Sequence, residues 1–143
     1  MKKTAETEKI RLQFGRSIHR IEVKSDTRAT ITVDKDKIVE IADYLYRILK
    51  WRFIIASALE TKHGIEIYYH FSNDNSGMIM NIHTILDKLK PETESLTCLF
   101  EAANWIEREM HELLGIHFLH HPNLQKLISE GNWAEGVYPY RNN

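Results

Sequence analysis

The order of patterns along this chain predicts an α+β fold: a single domain with one mixed sheet, two principal helices and an extended, irregular C-terminal arm. Three observations predict it. Residues 18–33 alternate apolar and polar side chains with a period of two, as half-buried strands do. Two later segments instead carry apolar residues at spacings of three and four, the helical period. The last residues hold large aromatic side chains but no period, and they are interrupted by Pro122, Gly131, Gly136 and Pro139.

Ile18, Ile21 and Val23 stand among Arg20, Glu22 and Lys24, and Ala29, Ile31 and Val33 alternate with Thr30 and Thr32. These are two strands, turned at Ser25 to Arg28. Asp34 or Asp36 then offers an N-cap for a helix running to about Lys50, with Ile38, Ile41, Ala42, Leu45, Ile48 and Leu49 on one face. Asp43 and Arg47 lie one turn apart on its wet side. Phe53 to Leu59 is apolar without alternation, which predicts a strand covered on both faces. Ile65 to Phe71 is a further strand led in by Gly64, and Asn73 to Gly77 is dense in turn formers. Met78, Met80 and Ile82 continue as its hairpin partner. Leu86 to Ser95, with Pro91, reads mainly as loop. Leu99, Ala102, Ala103, Ile106, Met110 and Leu113 form the second helical stripe, ended by Gly115 as a left-handed cap. The whole chain, 1–143, reads as one domain, with a core over about 16–116 and an arm over about 117–143. The arm holds a helical turn at most, around Leu124 to Ile128.

Composition narrows the function. Lysine plus arginine is 19 and aspartate plus glutamate is 20, a net charge of −1. Such a chain lacks the basic field that nucleic acid requires, and little self-repulsion opposes docking to another protein. Its one cysteine, Cys98, cannot close an internal disulfide or hold an iron–sulfur cluster, and it reads as a small buried residue. Met1 to Glu8 is charged and unlike a signal peptide. No apolar run approaches the roughly 20 residues of a membrane span, so any membrane role is expected to run through other proteins of an assembly.

The densest chemistry lies between Glu107 and Pro122. His111-Glu112 opens like a zinc-protease helix, but the position four after His111 is Gly115, so the motif fails. His111, His117, His120 and His121 remain a candidate set for a small His/Glu metalloprotein, against the plainer reading of surface and capping histidines. Glu107 and His111, one turn apart, could share a proton, yet no nucleophile motif or phosphate loop accompanies them. The third reading is a polar interface: Glu101, Asn104, Arg108 and Glu112 on the side opposite the apolar stripe, with Arg108 offering a planar fork to a partner carboxylate. Trp51 and Trp105 read as core residues. Trp133 sits in a tail too short to build its own core, which favours packing on a neighbour.

Ala102 to Glu109, then Glu112-Leu113-Leu114-Gly115-Ile116 and His121-Pro122, resemble the signature of the C subunit of respiratory complex I, the NADH dehydrogenase. The same signature occurs in the corresponding subunit of membrane-bound, energy-converting nickel–iron hydrogenases. Glu112 stands where that family more often has aspartate, and Gln125-Lys126 where it normally has a basic residue first. The ending Trp133, Glu135-Gly136-Val137-Tyr138-Pro139 and Arg141 resembles the hydrogenase-type members. The resemblance implies a non-catalytic structural subunit in the peripheral arm, on the cytoplasmic side of the cell membrane. Its expected partners are a nickel–iron hydrogenase large subunit, or a homologue of the D subunit of complex I, together with iron–sulfur subunits. It also implies that no cofactor belongs to this chain, the nickel–iron site and iron–sulfur clusters being held by those partners. On the same resemblance Glu107, Arg108, Glu109, Glu112, Gly115, His121, Pro122, Trp133, Tyr138 and Arg141 are expected to face the partner.

Overall fold

A computed structural model describes residues 5–124. Trp133, Tyr138, Arg141 and the rest of the arm beyond Leu124 lie outside the described residues. Three helices, α1 (Ala5–Phe14), α2 (Ile38–Asp43) and α3 (Ala103–Leu114), accompany seven strands. The strands are β1 (Ile18–Ser25), β2 (Arg28–Val33), β3 (Arg52–Thr61), β4 (Gly64–Asn73), β5 (Met78–Leu86), β6 (Glu92–Glu94) and β7 (His117–Leu119). The main sheet runs β1-β2-β5-β4-β3, and β6 pairs β7 in a small second sheet. In the main sheet only β2 and β5 are parallel, because the chain leaves β2 through α2 and the β3–β4 hairpin before returning beside it. The α+β reading with a mixed sheet therefore holds.

Alternation decides the sheet's two faces. Ala29, Ile31 and Val33 of β2, Ile65, Ile67, Tyr69 and Phe71 of β4, and Met78, Met80, Ile82 and Leu86 of β5 point into one core. Trp51 is buried in the same core, as expected. The opposite face carries Thr30, Thr32, Glu66, Tyr68, His70, Asn81 and His83.

Several expectations need correction. Phe53 to Leu59 is not covered on both faces: β3 is an edge strand, with Ile54, Ile55 and Leu59 exposed. A run without alternation is ambiguous about where a strand sits, and the strand buried on both sides is β4. Nor does either aspartate cap α2, which has no side-chain cap; the Asp34 carboxylate instead accepts from the His19 ring. From Tyr44 to Ile48 the helix widens into a π turn. The extra residue per turn rotates the stripe, so Leu45 stays buried while Ile48 faces out. Asp43 and Arg47 pair at 3.0 Å as expected. A third helix, α1, is absent from the sequence reading. Its apolar anchor is Ile10, fully buried, and Phe14 meets Tyr44 edge-on. One buried apolar residue cannot raise a helical period, so the pattern of apolar spacing passes over it. The predicted loop 86–95 contains the short strand β6, and Cys98 is exposed rather than buried.

Candidate functional site

α3 begins without a side-chain cap and ends at Gly115, whose φ of 75° and N–H bond to the His111 carbonyl (2.9 Å) make the expected left-handed cap. Ala103, Glu107, Met110 and Leu114 are buried, at intervals of four, three and four. The inward stripe is thus turned by about one residue from the predicted one. Ala102 is exposed, and Ile106 and Leu113 pack along the margin without full burial. The reason is chemical: the helix buries carboxylates as well as apolar groups. Glu107 and Glu112 are each 1% exposed, so neither belongs to a solvated face, and the expected outward placement of Glu112 opposite the stripe is overturned.

Two donors hold Glu107, and a third group lies beside it. One carboxylate oxygen accepts the Ser95 hydroxyl at 2.6 Å, and the other accepts the Leu96 N–H at 2.8 Å. The third neighbour is His121, whose side chain is fully buried and whose Nε2 lies 4.0 Å from Oε1. His121 Nδ1 accepts the Asn123 N–H at 2.9 Å, which leaves the proton on Nε2 to be donated to the Asn104 carbonyl at 3.2 Å. Burial pushes Glu107 up to about 7, against the pull of the Leu96 and Ser95 donors. Burial lowers His121, with a smaller push the same way from the Arg108 charge, against the pull of the Asn104 carbonyl.

These contacts bring two parts of the signature together inside the chain. The Glu107 and His121 side chains, both expected to face a partner, are enclosed within this chain. His111 does not share a proton with Glu107; its Nδ1 donates to the Ile116 carbonyl at 2.9 Å. His120 bonds Glu94 at 2.8 Å, and His117 is exposed. Among the described residues no three His, Cys, Asp or Glu side chains are grouped as an ion would require. What α3 turns outward is Trp105, 63% exposed and not the core residue expected, with the Arg108 guanidinium 5.4 Å from its ring centre. Glu109 is also exposed.

A second constellation lies on the outer sheet face, and sequence reasoning misses it. Thr32 meets His83 Nδ1 at 2.8 Å, His83 Nε2 meets Glu66 at 2.6 Å, and Glu66 accepts Thr61 at 2.6 Å. A parallel row joins Thr30, Asn81, His70 and Ser57 at 3.2, 2.6 and 3.2 Å. Each row crosses β2, β5, β4 and β3. Burial raises Glu66, but the bonds from Thr61 and His83 outweigh it and hold the carboxyl below its ordinary range. Tyr68 stacks on His83 at 4.4 Å. The alternation of Glu66, Tyr68 and His70 is a signal, but only strand register says who meets whom.

No helix among the described residues is long and apolar enough to cross a membrane. Comparison with known proteins gives a consistent result. The model of a family described as the 30 kDa subunit of respiratory-chain NADH dehydrogenase matches residues 31–143. The C subunit of the F(420)H(2) dehydrogenase of Methanosarcina mazei is 30% identical, over 90% of this chain and 83% of its own length. The C subunit of the NADH-quinone oxidoreductase of Geobacter metallireducens is 28% identical over 88% of this chain and 80% of its own. A polypeptide in the structure of an archaeal membrane-bound sulfane sulfur reductase shares the fold, with a TM-score of 0.82 at 21% identity, over 95% of this chain and 81% of that one.

Proposed function

Since the chain belongs to the family of the 30 kDa subunit of respiratory-chain NADH dehydrogenase, we propose that it is a non-catalytic structural subunit in the peripheral arm of a membrane-bound oxidoreductase. It packs on the large subunit of that complex and reaches the membrane, on its cytoplasmic side, only through partners. The observation that carries this reading is the division of labour on α3. Glu107 locks the helix inward, while an exposed Trp105 is paired with the guanidinium of half-buried Arg108. Tryptophan and arginine are the residue types that dominate protein interfaces when a partner desolvates them. In this reading nickel–iron and iron–sulfur groups reside in the partners.

The ending Trp133 to Arg141 favours the energy-converting hydrogenase branch, with ferredoxin-linked electron transfer coupled to ion translocation. A second reading, a quinone-type complex, is favoured by the names of the relatives, which include the C subunits of an F(420)H(2) dehydrogenase and of an NADH-quinone oxidoreductase. Gentle purification of the native assembly and identification of its polypeptides tests both. A large subunit with four cysteine ligands selects the hydrogenase branch, one without them the quinone type. Recovery of this chain only as a free monomer would refute the proposal.

A further inference from the structure

We propose that Glu107 is an internal proton-binding site, connected to the surface by a hydroxyl relay through Ser95 and Thr97. The geometry is a continuous chain of bonds. Ser95 Oγ lies 2.6 Å from Glu107 Oε1 and 2.7 Å from Thr97 Oγ1, and Thr97 is half-buried where Glu107 is almost fully enclosed. The Thr97 N–H also bonds Ser95 Oγ at 3.0 Å.

A hydroxyl has one hydrogen and two acceptor lone pairs, so this relay has two complete arrangements. With Glu107 charged, Thr97 donates to Ser95 and Ser95 donates to the carboxylate. With Glu107 neutral, every bond reverses: the carboxyl donates to Ser95 and Ser95 donates to Thr97. Uptake is balanced. A solvent proton bonds to Thr97 Oγ1, the Thr97 hydrogen passes to Ser95 Oγ, and the Ser95 hydrogen forms the new O–H on Glu107 Oε1. The net gain is one proton, and the carboxylate charge disappears. Oε2 accepts the Leu96 N–H in both states, so the backbone around the site need not move. Ser95 Oγ fills both lone pairs and its hydrogen in either arrangement, the Thr97 N–H occupying one lone pair throughout.

The other titratable groups facing the site do not take over its role. His121 has its Nε2 hydrogen committed to Asn104 and its Nδ1 lone pair to the Asn123 N–H, so its ring is neutral. Tyr69, on β4, is wholly buried, and burial together with the Glu107 charge pushes its hydroxyl further up, so it keeps its proton. Arg108 acts from Glu107's own helix as a charge that bears on His121, and His111 on the same helix bonds the Ile116 carbonyl.

The site lies within one polypeptide, so its test is separate from any question of partners. Carbon-13 side-chain NMR of the full chain, labelled at glutamate and titrated from about pH 4 to about pH 9, follows each carboxyl. The expected result is one glutamate titrating near 7, whose signal is absent in Glu107→Gln. Ser95→Ala removes a donor to the charged form and is expected to move that midpoint higher. All glutamates titrating below about pH 5 would overturn the site, and an unmoved midpoint in Ser95→Ala would overturn the relay. The wild-type titration decides the first point even if Glu107→Gln does not fold.

Discussion

Glu107 shows what a single residue does to stability here. Its carboxyl is raised to about 7 from an ordinary value of 4.5, so the folded chain binds this proton more tightly than the unfolded one. The stabilising contribution is complete below 4.5 and is lost as pH rises through 7. His121, held low, has the opposite sign: its contribution is present above its ordinary 6.5 and fades as pH falls. The difference between wild type and Glu107→Gln therefore isolates the carboxyl. Gln can still accept from Leu96 and donate to Ser95. Thermal melts at about pH 5 and about pH 8 should show Glu107→Gln gaining on wild type at the higher pH. Equal differences at both would contradict the assignment. Two glycines make sharper demands. At Gly115, φ is 75°, and a β-branched side chain resists that region. Gly115→Val should lower stability by about 1–3 kcal/mol in urea unfolding. Gly64 has φ of 143°, and a Cβ there would stand 2.3 Å from the Leu86 carbonyl oxygen. Backbone cannot step aside as a flexible side chain can, so Gly64→Ala should lower the melting temperature more than Gly115→Val.

At the scale of elements, the outer sheet face explains why strands β2, β5, β4 and β3 keep one register. A slip of one residue would turn every partner in both polar rows to the wrong side. Glu66 and His83 are the pair most exposed to such loss, being 9% and 7% accessible. Glu66→Ala leaves the His83 ring without its Nε2 acceptor and should destabilise by about 1–3 kcal/mol, measured by denaturant unfolding. The double change with His83→Leu should cost less than the sum of the two single changes, because no orphaned ring remains. α3 is legible in the sequence as an element and in its glycine stop, although it starts at Ala103 and not at Leu99, and its signature residues are legible as a set. Which of them turn inward is not. Spacing treats glutamate as a surface residue, whereas Ser95 and Leu96, contributed by another segment, make burial of Glu107 tolerable.

For the whole molecule, the family reading makes assembly the property to measure. Arg108→Ala and Trp105→Ala should each leave the isolated domain folded, because Trp105 is exposed and both project from the side of α3 away from Met110 and Leu114. Each should reduce the yield of intact complex severalfold, as expected for residues that anchor an interface. Unchanged yield and activity in both variants would remove α3 from the docking surface. A fold defect, seen as a lowered melting temperature of the chain alone, would show that these side chains serve the domain instead.

The sequence by itself determined the strands of the main sheet, the hairpin through Asn73 to Gly77, the long helix with its stop, and, through the motif from Glu107 to Pro122, the family. Those features rest on periods and spacings that each segment carries locally. Tertiary structure alone decided that β3 is an edge and β4 lies inside the sheet, that α1 exists, that Trp105 faces out, and that Glu107 is buried against Ser95 and His121. Each of those outcomes depends on which distant segment arrives alongside, and burial of a charge or exposure of an aromatic ring is settled by that neighbour, not by the residue's own preference.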